Sequence, residues 1–310
     1  MITYIVRRAF WSIVALMVLL VIIFFASRVL GDPTLVILPP DASEAARDAV
    51  RESLGLNAPL ITQLQQFVYR AFADGFGDSM VQNRPVMAII GERLPNTVLL
   101  ATSALAFSLP VAAVMGSIAA LKPRGAFDRF ANFFGLAGVS MVDFWLGLML
   151  ILGFGVMLGW LPTGGFGGLQ FLVLPALTLS FRTTGRLAQF TRSAMLDEYS
   201  KSYVKTLRAK GLSERRVFLH VFKNASVPVI TMGSDELHAL LSGSIVVEVV
   251  FAWPGLGSLV IQAISNRDLM LIEASVFVIA VMVVVVNLVV DLAYTYLDPR
   301  IRFGSTEVAA

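Results

Sequence analysis

Residues 191–228 have the sequence TRSAMLDEYSKSYVKTLRAKGLSERRVFLHVFKNASVP, a polar stretch between two long blocks of apolar sequence. The stretch carries eight of the 24 lysine and arginine residues of the chain. Good helix formers fill 193–210, and Gly211 follows where a residue with positive φ would end a helix. Ser213 and Glu214 suit the start of a second helix. The pattern therefore predicts a helix, a turn and another helix.

The second helix is expected to be amphipathic. Its apolar stripe would be formed by Val217, Phe218, Val221 and Phe222. Basic side chains would face elsewhere, and Pro228 is expected to end the segment. Two interpretations follow from the pattern alone: a solvated or membrane-surface helix, or an element that docks another protein.

The composition outside this stretch indicates an all-α integral membrane protein. Apolar residues make up 57% of the chain and charged residues 15%, and the mean hydropathy is +0.78. The net charge of +3 implies no nucleic-acid partner. Because the chain has no cysteine and two histidines, no metal site is expected. Six transmembrane helices are predicted, at 9–26, 97–121, 131–160, 169–190, 229–251 and 271–297.

Basic residues predict the orientation. Fifteen lysines and arginines lie in the termini, in 122–129 and in 191–228, whereas one lies in the two short loops of the opposite side. Both termini are therefore predicted to be cytoplasmic. Arg182 and Arg186, late in the fourth predicted span, are expected to reach toward the lipid head groups.

Several strings along the whole chain resemble one family. They are RLPNT at 93–97, LPTGG at 161–165, RAKGLSERRVFLHVFKNASVP at 208–228 and VVEVVFAWPGLGSLVIQAISNRD at 246–268. The chain is similar to the membrane permease subunits of binding-protein-dependent ABC importers, in the dipeptide, oligopeptide and nickel branch. Residues 191–228 resemble the cytoplasmic coupling loop, or EAA loop, although Lys205, Thr206 and Leu207 stand where Glu-Ala-Ala would be.

The resemblance implies a type I ABC importer permease fold in the bacterial cytoplasmic (inner) membrane. Residues 1–30 would hold the N-terminus and first span, 31–96 a periplasmic loop region, 97–297 a five-helix core with the coupling loop, and 298–310 a cytoplasmic tail. The implied partners are a second homologous permease, cytoplasmic ABC ATPase subunits and a periplasmic or extracellular solute-binding protein. The ATPase-coupling residues would be Arg208, Ala209, Lys210, Gly211, Leu212, Ser213, Val217 and Phe218.

The sequence lacks the motifs of a catalytic subunit. It has no G-x-x-x-x-G-K-[ST] phosphate loop, no nucleophile elbow and no HExxH. We therefore expect no enzyme activity and no bound cofactor, with ATP hydrolysed by partner subunits. The alternative is a channel or a secondary transporter driven by an ion gradient, but inverted halves with matching broken helices are not found.

Acidic residues within the predicted spans are candidates for the translocation pathway. They are Asp143, Asp235 and Glu236, with His238 and Ser242 on the same helical face as Asp235. These acids would favour cationic or zwitterionic solutes; alternatively, Asp235 pairs with His238 or Arg186 and is structural. The sequence leaves peptide, nickel chelate, opine and sugar-like solutes open.

Overall fold

The computed structural model describes residues 2–29, 43–45, 48, 52 and 57–297. The predicted tail at 298–310 and much of the predicted loop region at 31–96 lie outside these residues. Apart from an isolated bridge between Asp78 and Pro85, the described chain forms helices, turns and loops, as predicted for an all-α protein.

Apolar runs form the long helices, and the breaks between them fall at glycine, proline and polar residues. The helices are α1 (Ile2–Val29), α2 (Leu60–Ala73), α3 (Val86–Leu121), α4 (Ala126–Ser140), α5 (Asp143–Leu150, continued by a π-helix at Ile151–Met157), α6 (Leu169–Ser200), α7 (Ser202–Ala209), α8 (Glu214–Val250), α9 (Leu256–Ser265) and α10 (Leu269–Leu297). By length and apolar composition, two of the described helices, Val86–Leu121 and Leu269–Val290, could cross a membrane alone. A third crossing is possible if α4 and α5 with its π-helix form one bent span.

One compact unit contains the described residues up to Asn96 together with Pro254–Val289. A row of aromatic rings runs through it: Phe67 lies 5.6 Å from Phe24 and 5.9 Å from Phe76, and Phe76 lies 5.7 Å from Phe277, between ring centroids. The buried carboxylate of Asp268 accepts hydrogen bonds from the Ser79 hydroxyl and from backbone N–H groups. These contacts join the loop at residues 79–81 to the start of α10.

The other unit contains Thr97–Trp253 and the described residues 290–297. Glycines let its helices approach closely, because a glycine has no side chain to separate two backbones. A Cβ added to Gly185 of α6 would lie 3.0 Å from the Cα of Gly135 in α4. A Cβ added to Gly116 of α3 would lie 2.5 Å from the carbonyl oxygen of Ala188 in α6. The helix α6 is thus packed against both α3 and α4 through glycines.

The predicted third span, 131–160, is not one straight helix. The chain bends by 108° between Ala126–Ser140 and Asp143–Met157. Met141 and Val142 have extended backbones, with ψ of 136° and 129°. Asp143 then begins a new helix, where a carboxylate interacts favourably with the positive helix end.

Other helix boundaries also differ from the predicted ones. The helix α3 begins at Val86 instead of 97, and α6 continues past 190 to Ser200. Pro228 does not end a helix but lies within α8. A proline removes one backbone hydrogen bond, and a long helix packed against its neighbours tolerates that loss. The predicted helix 193–210 is interrupted at Lys201, whose ψ is 149°.

Candidate functional site

We use the name coupling segment for residues 191–228, which comprise the end of α6, all of α7 and the start of α8. A compact turn joins α7 to α8. The N–H of Leu212 donates to the carbonyl of Leu207 at 3.2 Å, and the N–H of Gly211 donates to the carbonyl of Arg208 at 2.9 Å. This pair of bonds is the Schellman arrangement, which requires a residue with positive φ at its centre. Gly211 has a φ of +76°, as the sequence predicted.

The space around Gly211 is open. A Cβ added there would meet no atom within 4 Å, so a larger residue would be opposed by backbone strain and not by crowding. The open space leaves the backbone of the turn accessible from outside. Of the predicted coupling residues, Arg208, Ala209, Lys210, Gly211 and Ser213 are exposed.

The predicted apolar stripe forms the core of the coupling segment. Val217 and Val221 are fully buried and pack with Ala120, Met195, Val204 and Ala225. The rings of Phe218 and Phe222 stack at 6.0 Å between centroids and are partly buried against the same cluster. Leu212 also packs against this cluster, so Val217, Phe218 and Leu212 hold the turn on α6 and α8.

An exposed ion pair bridges the turn. The guanidinium group of Arg208 donates to the Glu214 carboxylate through Nε at 2.8 Å and Nη2 at 3.0 Å. The Arg208 hydrogen bond is the largest influence that holds the pKa of Glu214 below its ordinary value. Ser213 precedes α8 as predicted, but its side chain makes no capping hydrogen bond. The Arg208–Glu214 pair therefore connects the last turn of α7 to the first turn of α8.

A second polar contact stabilises the break at Lys201. The carboxylate of Glu198 accepts hydrogen bonds from the Lys201 ammonium and from the Tyr203 hydroxyl, the latter at 2.9 Å. Burial raises the pKa of Glu198. The hydrogen bonds from Lys201, Tyr203 and Asn224 together lower it by more, so that the pKa lies below its ordinary value. The ionised carboxylate thus ties the end of α6 to α7.

Asp128, which the sequence analysis did not single out, anchors the start of the coupling segment. It is 3% exposed, and its carboxylate accepts hydrogen bonds from Nε and Nη2 of Arg192. The backbone N–H of Arg124 donates to it at 2.7 Å and the Asn132 amide at 3.0 Å. An acid within the short basic stretch 122–129 was the signal that could have identified it.

Asp128→Asn is expected to lower the Tm of the purified protein by a few degrees and to slow transport. The substitution keeps the size of the side chain but removes the charge that Arg192 requires, leaving a half-buried guanidinium group without its counter-ion. Asp197→Asn is the matched control, because Asp197 is an exposed acid of the coupling segment. The Tm is measured by thermal unfolding and the transport rate by solute uptake. Equal behaviour of the two variants would contradict the anchoring role.

A second group of charges lies where α5, α6 and α8 meet. Nη1 of Arg186 is 2.9 Å from Oε1 of Glu236, and Nη2 of Arg182 is 3.9 Å from Oδ2 of Asp143. Thr183 donates from its hydroxyl to Oε2 of Glu236 at 3.3 Å. We call Arg182, Arg186, Asp143 and Glu236 the charged cluster. Both arginines, which the sequence predicted to reach toward the head groups, are directed to acids on neighbouring helices.

The other predicted pathway residues surround this cluster on α8. Asp235 and Ser242 are exposed, whereas His238 is partly buried. Nε2 of His238 has no hydrogen-bond partner among the residues that the structure describes. Arg186 pairs with Glu236. Within the described ranges, no group of three or more His, Cys, Asp or Glu residues could hold a metal ion.

Comparison with known families gives two matches that together extend over most of the chain. Residues 112–303 match the family described as binding-protein-dependent transport system inner membrane component. Residues 1–101 match the N-terminal region described for the same kind of membrane component. The first match contains both the coupling segment and the charged cluster.

Individual relatives are similar over nearly their full lengths. The chain is 37% identical over 309 residues to a putative peptide transport system permease protein of Brucella abortus, covering 96% of this chain and 98% of the relative. It is 38% identical over 305 residues to a glutathione transport system permease protein of Escherichia coli, covering 98% of this chain and 100% of the relative. The similarity therefore includes the segments on both sides of the coupling segment.

Proposed function

Because the chain belongs to the family of binding-protein-dependent transport system inner membrane components, we propose that it is one permease subunit of an ATP-driven importer of peptides or a related small solute. Its relatives are named as peptide and glutathione transport permeases. The family is a family of transport permeases and not of enzymes. The chain would bind no cofactor, and ATP would be hydrolysed by its partners.

The proposed topology has six spans with both termini in the cytoplasm, in the arrangement of a type I importer permease. It is supported by the helices that lie at each predicted position, two of which could each cross a membrane alone, and by the asymmetry of basic residues. In this topology the coupling segment lies on the cytoplasmic side. The charged cluster lies within the spans, and it would line half of a pathway completed by a second permease.

One observation carries the coupling proposal: a closed turn with exposed backbone lies on a core formed within the same chain. The residues 208–211 and Ser213 are exposed, while Val217 is fully buried beneath them. A cytoplasmic ATPase would bind the exposed residues, and the buried core would transmit its movement to α6 and α8. Leu212, Val217 and Phe218 would act by holding the turn in place. On the opposite side of the membrane, a solute-binding protein would deliver the solute.

Purification tests this function directly. The full chain, expressed with its natural neighbours and isolated through an affinity tag, should retain ATPase subunits. In proteoliposomes of that complex, ATP is enclosed with the ATPase subunits in the lumen and the binding protein is added outside. These proteoliposomes should accumulate a labelled tripeptide. Uptake that requires a proton or sodium gradient and ignores ATP would instead establish the secondary-transporter alternative.

Exchanging the charges of Arg208 and Glu214 should show whether the pair acts by shaping the turn or whether Arg208 contacts the ATPase directly. Arg208→Glu is expected to reduce transport-coupled ATP hydrolysis severalfold, since the two carboxylates then repel each other across the turn. An exposed pair contributes little to stability, so the Tm should hardly change. If the pair acts by shaping the turn, Arg208→Glu combined with Glu214→Arg restores the rate. If the double variant stays as slow as the single one, Arg208 itself contacts the ATPase. Arg215→Glu, an exposed neighbour outside the pair, is the control.

A further inference from the structure

The exposed charge of the charged cluster is positive. The side chains of Arg182 and Arg186 are 38% and 44% exposed, whereas those of Asp143 and Glu236 are 17% and 3% exposed. The sequence alone suggested that the acids would face the solute. In the structure Asp235 is exposed, but Asp143 and Glu236 are each less exposed than the arginine they pair with, so a solute that approaches these four side chains meets mainly the two guanidinium groups.

Both guanidinium groups keep donors for a ligand. Each has five N–H groups. Arg186 forms its ion pair through Nη1 and Arg182 through Nη2, and the structure shows no further hydrogen bond or ion pair of either group with another described residue. Buried Glu236 holds Arg186 by one edge, and partly buried Asp143 lies near one edge of Arg182. The other edge of each planar group is available for a carboxylate.

The position of the arginines requires polar surroundings. Arg182 follows the start of α6 at Leu169 by about 20 Å and Arg186 by about 26 Å, at 1.5 Å per residue, both within the ~30 Å of a hydrocarbon core. A guanidinium group at this depth needs water, protein or a solute, because burial in lipid is costly. Beside Arg182 the facing residue of α8 is Gly243, whose added Cβ would lie 3.5 Å from Nη2. The absence of a side chain there leaves room next to the guanidinium group.

We propose that Arg182 and Arg186 form a site that binds a side-chain carboxylate of the passing solute, so that the pathway favours anionic peptides over cationic ones. The site rests on the proposed import function. The two residues are one helical turn apart on one face of α6, where two planar guanidinium groups can each donate a pair of hydrogen bonds to carboxylate oxygens. Asp143 and Glu236 are positioning residues that orient the arginines.

Uptake of three tripeptides by the reconstituted complex tests the site. Ala-Glu-Ala, its uncharged isostere Ala-Gln-Ala and Ala-Lys-Ala differ only in the central side chain. Each rate is divided by the wild-type rate for the same peptide, which cancels the selectivity of the binding protein. For Arg182→Gln combined with Arg186→Gln, we expect at least about a tenfold fall for Ala-Glu-Ala, since the loss of a single charge-assisted hydrogen bond already corresponds to about that factor. The fall for Ala-Lys-Ala should be less than about twofold.

Paired variants exclude the effect of an uncompensated acid. Arg186→Gln combined with Glu236→Gln removes the ion pair without leaving a buried charge, and it should still slow Ala-Glu-Ala selectively. Glu236→Gln alone retains both arginines but loses the ion pair that orients Arg186, so it should slow Ala-Glu-Ala less than Arg186→Gln combined with Glu236→Gln does and leave Ala-Lys-Ala within about twofold of wild type. Arg129→Gln, an exposed charge at the start of α4, controls for the loss of a positive charge elsewhere.

Five results would overturn the site. Equal slowing of all three peptides, each of which also has a C-terminal carboxylate, would show that the arginines do not select for a side-chain carboxylate. Loss of the assembled complex in both the Arg186→Gln/Glu236→Gln and the Arg182→Gln/Arg186→Gln variants would make the arginines structural. Selective slowing of Ala-Lys-Ala by Glu236→Gln would show that the acids contact the solute. A wild-type complex without ATP-dependent uptake of any of the three peptides would overturn the proposed function as well. Normal wild-type uptake with unchanged ratios would overturn the carboxylate site alone.

Discussion

Gly116→Ala is expected to reduce strongly the amount of folded protein that accumulates in the membrane. The added Cβ would lie 2.5 Å from the carbonyl oxygen of Ala188, 2.6 Å from the Cβ of Thr191 and 2.9 Å from the backbone nitrogen of Arg192. Two of these atoms belong to the backbone of α6 and cannot move away by a side-chain rotation. The helices α3 and α6 would have to separate, and overpacking of this kind costs about 1–3 kcal/mol or more.

The effect should be measured as the Tm and the monodisperse yield of detergent-purified protein. Gly91→Ala is the matched control, because Gly91 lies in the same helix and an added Cβ would meet nothing within 4 Å. Alanine is the better helix former, by about 1 kcal/mol in an exposed helix interior. The control should therefore leave the Tm unchanged or raise it, whereas Gly116→Ala lowers it. A Gly116→Ala protein as stable as the Gly91→Ala protein would show that α3 and α6 are not packed through this glycine.

Gly211→Val should abolish most of the coupling between solute import and ATP hydrolysis while the protein remains inserted. A β-branched residue at a φ of +76° is strained by about 1–3 kcal/mol. The turn can relieve this strain by giving up the hydrogen bonds of Leu212 and Gly211 to α7. The exposed residues at 208–213 would then lose their arrangement. We expect at least about a tenfold fall in solute-stimulated ATP hydrolysis, corresponding to roughly 1.4 kcal/mol.

Gly211→Asn provides the comparison for this variant, since asparagine tolerates a left-handed backbone. It should retain most of the coupled activity. Neither side chain is crowded, because no atom lies within 4 Å of the added Cβ. A difference between the two variants would therefore report backbone conformation. Equal activity of the valine and asparagine proteins would refute the requirement for this turn; equal loss would instead indicate that the partner contacts the glycine surface itself.

The sequence was informative where a local pattern decides the conformation. Gly211 was placed correctly because a helix end with a positive φ has a strong residue preference. The stripe containing Val217 and Val221 was also predicted correctly, because helical periodicity identifies the buried face without knowledge of the neighbouring helices. The permease family itself is confirmed by matches on both sides of residue 101.

Helix boundaries were predicted less well. Pro228 is a strong local breaker, yet α8 continues through it; Lys201 is not a breaker, yet the chain leaves the helix there. At the second position, Ser200 donates from its hydroxyl to the Asp197 carbonyl at 2.7 Å, and Lys201 binds Glu198. Side chains of this kind compete with the helical backbone bonds. The outcome depends on packing against α7 and α8, which propensity does not include.

Sequence alone determined the helical membrane class, the family, the closed turn at Gly211 and the presence of acids within the predicted spans. Only the tertiary structure decided which charges meet: Arg186 with Glu236, Arg182 with Asp143, and Arg192 with Asp128. The reason is physical. Periodicity and capping depend on residues within a few positions of one another, whereas each of these ion pairs joins two helices whose separation and rotation are set by the packing of the whole unit, including the glycine contacts of α3 and α4 with α6.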